Sequence, residues 1–145
     1  FHQMAKEFED VFGIYSKTAG IQLSTNVEQM EKYWNDEVSI HMIINNLLSN
    51  AFKYQRKDNA DKRVDLTIRV EKGITYITVK DNGSGIDEKY KEEIFNLFFR
   101  AHVQESGSGF GLFNVKSALQ KLNGTIEVET RLNEGTTFEV VIPHK

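Results

Sequence analysis

The chain has 145 residues, 39% of them hydrophobic and 27% charged, which is the composition of one folded domain with a single core. Eighteen basic residues against twenty-one acidic ones give a net charge of −3, which argues against a nucleic-acid partner. The lack of cysteine excludes a disulfide framework, a thiolate metal site and a cysteine nucleophile.

Met4, Phe8, Val11, Phe12 and Tyr15 recur at helical spacing and predict a helix over residues 3–19, ended by Gly20. A short strand is expected at 21–27. Over 38–54, Ile40, Ile43, Ile44, Leu47, Leu48 and Ala51 define an amphipathic helix. A polar loop, 55–63, leads to two alternating runs at 64–71 and 74–80, joined at Lys72-Gly73 as an antiparallel hairpin. Residues 81–85 break the second strand. A short helix is expected at 87–95, then an irregular stretch to Gly107. Leu112, Val115, Leu119 and Leu122 mark another helix, stopped by Asn123-Gly124. A last hairpin pairs 125–130 with 136–142. Helices kept apart from hairpins predict an α+β two-layer sandwich, not a doubly wound sheet. No apolar run approaches the roughly 18 residues of a membrane span, so no membrane contact is expected of this segment.

Chemistry-bearing residues gather in a few places. On the second helix Asn46, Asn50 and Lys53 fall within roughly 60° of one another, beside the apolar stripe. An amide oxygen suits a hard cation and an ammonium suits phosphate, although a solvated helix edge shows the same pattern. Asp81-Asn82-Gly83-Ser84-Gly85-Ile86 sets a carboxylate ahead of two glycines. The carboxylate can accept from an exocyclic amino group while the glycines admit a flat ligand, or the segment is a plain turn. Gly107-Ser108-Gly109-Phe110-Gly111-Leu112 opens a helix whose first N–H groups suit phosphate. Its spacing is neither G-x-G-x-x-G nor the phosphate loop G-x-x-x-x-G-K. Phe95, Phe98 and Phe99 are core candidates or the base of a lid over 101–107. Arg100 can meet phosphate oxygens or a neighbouring carboxylate. His2, His41, His102 and His144 are scattered, without metal-binding spacing.

In this order the segments resemble the catalytic ATP-binding domain of two-component sensor histidine kinases, within the superfamily that includes DNA gyrase, the MutL repair proteins and a heat-shock chaperone. Residues 46–54 look like its asparagine box, 81–86 its first glycine box, 95–100 its phenylalanine box, and 107–112 its second glycine box. Gly135-Thr136-Thr137-Phe138 looks like its closing box, with Asn133 in place of a glycine. The resemblance implies a Bergerat-type fold, a mixed five-stranded sheet backed by three helices, with an extra N-terminal helix. It implies ATP and Mg²⁺ as ligands. Asn50 would ligate Mg²⁺, Asn46 support the phosphates, Lys53 touch phosphate and Tyr54 lie against the nucleotide. Asp81 would accept the adenine amino proton, with Thr136 beside it through water. Gly83 and Gly85 would make room for the base next to Ile86. Gly107, Gly109 and Gly111 would shape the lid hinge and the phosphate-facing helix start, with Leu112 following. Phe110 stands where the family often has leucine.

The resemblance also implies a reaction. Hydrolytic members of the superfamily carry a glutamate base four residues before the Mg²⁺ asparagine; here that residue is Asn46, and an amide cannot take the proton. Transfer of the γ-phosphoryl group to a protein histidine is therefore expected, with Asn46, Asn50, Lys53 and Arg100 as the catalytic set. His2-Gln3-Met4 does not resemble the family's acceptor box. The implied partner is a phosphoacceptor-histidine helical domain of the same protein or of a dimer mate, and indirectly the receiver of a response regulator. The chain opens on Phe1 and is read as a piece of a longer protein. On this reading residues 1–20 trail from that domain, and 21–145 form a cytoplasmic catalytic domain of a membrane-anchored sensor. Alone, the piece is expected to bind ATP without autophosphorylating. The competing classes are a module that holds nucleotide without chemistry and a hydrolytic or serine-kinase relative; Asn46 counts against the latter.

Overall fold

Alternation along the strands decides which face of the sheet is buried. Along β2 (Lys62–Glu71) the side chains of Val64, Leu66, Ile68 and Val70 are buried, and along β3 (Ile74–Asp81) those of Thr75, Ile77 and Val79. In a computed structural model, which describes residues 1–99 and 110–145, the other elements are α1 (His2–Ala19), β1 (Ile21–Gln29) and α2 (Glu37–Lys53). They are followed, after β3, by a 3-10 turn (Glu88–Tyr90), α3 (Gly111–Lys121), β4 (Thr125–Arg131) and β5 (Gly135–Pro143).

The sheet order is β1-β2-β3-β5-β4. β2–β3 and β4–β5 are the two hairpins expected from the sequence, and β3 pairs antiparallel with β5. β1 runs parallel to β2, so α2 is the crossover between them, as parallel neighbours require. The result is a mixed five-stranded sheet with three helices among the described residues, one of them the N-terminal helix.

The helix α2 is set by its ends and its stripe. Asp36 caps it, its carboxylate accepting from the N–H groups of Val38 and Ser39. Ile40, Ile43, Ile44, Leu47, Leu48 and Ala51 are all buried against the sheet, as their spacing predicts. Helix α1 ends where Gly20 adopts φ 67°, the left-handed cap expected of glycine. Its Met4, Phe8 and Phe12 join the same core as the sheet, and the Phe12 ring lies 5.0 Å from that of Phe52. Helix α1 therefore packs onto the core of the sheet.

The helix expected at 87–95 is reduced to the 3-10 turn and the turns that follow it. Ile94 alone there is fully buried, with Tyr90 and Phe95 partly buried against the core. Among the described residues, no helix is long and apolar enough to cross a membrane.

Candidate functional site

One end of the site is a polar row where the apolar rows of the sheet stop. Strand pairing sets Asp81 opposite Thr136, and Thr136 opposite Thr130. These three lie two residues beyond Val79, Phe138 and Val128, and so share their core-facing side. The Gly83 N–H donates to Asp81 Oδ1 at 2.8 Å, and the Thr136 N–H also bonds the carboxyl. Burial outweighs both bonds and pushes the Asp81 pKa up to about 6, so the group is ionised at neutral pH. A cavity of about 440 Å³ opens here, with Asp81, Thr130, Gly135 and Thr136 in its lining.

Thr130 was not among the residues singled out from the sequence. Its hydroxyl accepts the Ile86 N–H at 2.8 Å and lies 3.0 Å from the Thr136 hydroxyl. A threonine in a strand reads as a strand former, and only the pairing register reveals its neighbours.

The glycines of this region serve close backbone approach. A β-carbon on Gly83 would overlap the Tyr54 carbonyl, and one on Gly85 the Arg131 carbonyl. One on Gly135 would overlap the Asp81 carbonyl. These residues let the end of α2, the loop after β3 and the β4–β5 hairpin close on one another. Ser84 donates both its N–H and its hydroxyl to the Tyr54 carbonyl, at 2.8 and 2.9 Å. Asn133 stands at φ 63°, the left-handed geometry that asparagine tolerates, and its N–H reaches the Ser84 carbonyl at 2.7 Å.

The other end of the site is the polar edge of α2. Asn46 donates its amide N–H to the Met42 carbonyl at 2.9 Å. Its carbonyl oxygen faces Gly111, where a β-carbon would stand 3.0 Å away. Glycine at this first position of α3 therefore lets the Asn46 oxygen approach the helix start. Asn50 is half-buried, and its amide has no hydrogen-bonding partner among the described residues. A neutral oxygen left unpaired fits a hard cation that draws its remaining ligands from water and phosphate. The Lys53 ammonium lies 5.3 Å from the centre of the Tyr54 ring.

Ile86 and Leu112 are half-buried against the core. Phe95 packs edge-on toward Phe138, whereas Phe98 is 63% exposed and meets the Phe110 ring at 5.0 Å. Phe98 is thus not a core residue. Arg100, His102, Gly107 and Gly109 lie outside the described residues.

Residues 35–145 match the family described as histidine kinase-, DNA gyrase B-, and HSP90-like ATPase. The chain belongs to this family. It is 34% identical over 111 residues to a probable C4-dicarboxylate sensor kinase of Bacillus subtilis, covering 76% of this chain and 21% of that protein. It is 33% identical over 130 residues to the sensor histidine kinase RppB of Synechocystis, covering 86% of this chain and 28% of RppB. The chain therefore spans well under a third of the length of these relatives.

Solved structures place the fold. The catalytic domain of histidine kinase ThkA superposes with a TM-score of 0.79 at 24% identity, over 99% of this chain and 92% of that one. Full-length ShkA, solved in complex with AMPPNP, gives 0.84 at 22% identity, over 98% of this chain and 29% of ShkA. The five-stranded sheet with its helices is the Bergerat-type fold of this ATPase family. The motif order was a sound guide to a catalytic ATP-binding domain of the sensor histidine kinase type.

Proposed function

We propose that this domain binds Mg-ATP between the Asp81 end and the Asn50 end of the site. It presents the γ-phosphoryl group to a histidine on a separate helical phosphoacceptor domain, from which the group passes to a response-regulator receiver. Asp81 accepts the adenine amino proton, with Thr136 beside it. The start of α3 at Gly111, with Lys53, receives the phosphates, and Asn50 offers its amide oxygen to the metal. When bound, Mg²⁺ neutralises charge on the phosphate oxygens. The protein's own share is positioning: the nucleotide is held at both ends while the acceptor brings its own nucleophilic nitrogen.

The observation that carries this reading is the Asn46 side chain, an amide whose oxygen is turned to the start of α3. A neutral amide there can support phosphate but cannot deprotonate water, which favours transfer over hydrolysis. The sensor-kinase relatives support the same choice.

Calorimetry with ATP and Mg²⁺ on the parent, Asn50→Ala and Asp81→Ala tests the site. Both variants are expected to lose most of the affinity, and unchanged affinity in both removes the assignment. Labelled phosphate should appear on an added acceptor domain and not on this chain alone. Incorporation without the partner overturns the transfer reading.

A further inference from the structure

We propose that Thr130 is a positioning residue for base recognition, holding the Thr136 hydroxyl as a hydrogen-bond donor toward the purine. The proposal rests on the reading that Asp81 accepts the amino group of adenine.

A threonine hydroxyl has one proton and two lone pairs, and so can face a ligand as donor or as acceptor. What surrounds Thr130 narrows that choice. The side chain is buried, 7% exposed, which favours an acceptor within the protein for its proton. The Ile86 N–H, which can only donate, occupies one lone pair at 2.8 Å. Three oxygens stand within reach of the proton: Thr136 Oγ1 at 3.0 Å, the Gly135 carbonyl at 3.3 Å and the Ile86 carbonyl at 3.4 Å. The Thr136 hydroxyl is the nearest, and the only one inside the ordinary O–H···O range. Donation to it leaves the Thr136 proton free to point away from the pair.

Thr136 is the register partner of Asp81 on the same face of the sheet. An ionised Asp81 can only accept, so the two side chains present an acceptor beside a donor. The Watson–Crick edge of adenine is the complement, an amino donor beside the N1 acceptor. Guanine and hypoxanthine carry the reverse, an O6 acceptor beside an N1–H donor. Thr130 thus turns a hydroxyl of either polarity into a reader of N1, directly or through one water.

The probe is 1-deaza-ATP, which keeps the amino group and replaces N1 by C–H. Binding of ATP and of this analogue, each with Mg²⁺, is compared by calorimetry at pH 7.5 on the whole 145-residue chain. The parent is expected to prefer ATP by about tenfold or more, the scale of one lost hydrogen bond. Thr130→Val keeps the β-branched shape and deletes the hydroxyl; the Thr136 hydroxyl is then free to point either way, and the preference should fall several-fold while both ligands still bind. Any loosening of the Ile86 loop weakens both ligands alike and cancels in the ratio. Thr130→Ser should retain the parent's preference. Thr136→Val, which removes the donor itself, should erase the preference with Thr130 intact and keeps the test decisive if Thr130→Val does not fold. An undiminished preference in either valine variant overturns the proposal while leaving the ATP site standing. A parent that binds no ATP overturns both.

Discussion

Gly83 donates its N–H to the Asp81 carboxylate at 2.8 Å, and still the Asp81 pKa is pushed up to about 6. The folded state therefore holds a proton that the unfolded chain, near 3.8, releases earlier. Between pH 4 and 6 the native state binds more protons, so stability contributed by this group is lost as pH rises through that window. A rise of this size corresponds to about 3 kcal/mol. Urea unfolding of the parent and of Asp81→Asn across pH 4 to 7 should show the parent losing that amount relative to the variant. Parallel pH profiles would contradict the burial of this carboxyl.

Ligand binding should carry the opposite pH dependence. The ionised carboxylate accepts an amino proton far more strongly than the protonated acid, and at pH 5 about a tenth of a group with a pKa near 6 is ionised. ATP affinity is expected to fall about tenfold from pH 7 to pH 5, measured by calorimetry in buffers of constant ionic strength. A flat profile over that range would detach Asp81 from the base.

The glycines divide into two kinds that a stability series can separate. Gly85 stands at φ +65° against the Arg131 carbonyl, so Gly85→Ala combines backbone strain with a clash against rigid main chain. A loss of about 3 kcal/mol or more is expected. Gly13, within α1, has open space around its β-carbon position. Gly13→Ala should gain about 0.5–1 kcal/mol by helix propensity alone. Denaturant midpoints of the two variants falling on the same side of the parent would refute this division.

Helix α1 should prove necessary for the fold. Phe8 is 2% exposed and packs its ring 4.6 Å from that of His41, while Phe12 meets Phe52. Phe8→Ala is expected to cost about 3–5 kcal/mol. Removing residues 1–19 should leave a chain without a cooperative thermal transition by circular dichroism. A truncated chain that melts as sharply as the parent would show α1 to be an appendage.

Most of the fold was legible where periodicity is strong. The stripe from Ile40 to Ala51 and the two alternating hairpins are each local patterns, and each became the element expected. The parallel pairing of β1 with β2 was not legible, because Ile21 and Lys62 meet only through the packing of α2 between them. The packing of α1 was hidden for a related reason: Phe8 and Phe12 show which face is apolar, not what covers it. At the site, Asn50 and Asp81 stood out by chemistry and spacing. Gly83 and Gly85 stood out too, but sequence could not tell room for a ligand from room for the Tyr54 and Arg131 carbonyls. Thr130 carried no local signal at all; its partners Ile86 and Thr136 come from two other segments.

The double hydrogen bond from Ser84 to the Tyr54 carbonyl joins the last turn of α2 to the loop that follows Asp81. In the proposed ATP site, that contact is the pivot of a caliper whose jaws are the amide of Asn50 and the carboxylate of Asp81. Gly83 packs against the same Tyr54 carbonyl, so the two jaws are tied through a short, closely packed stretch of chain. A ligand is then gauged by its span as well as by its two ends. A nucleoside too short to reach the amide engages one jaw only, and forgoes the binding that holding both would give.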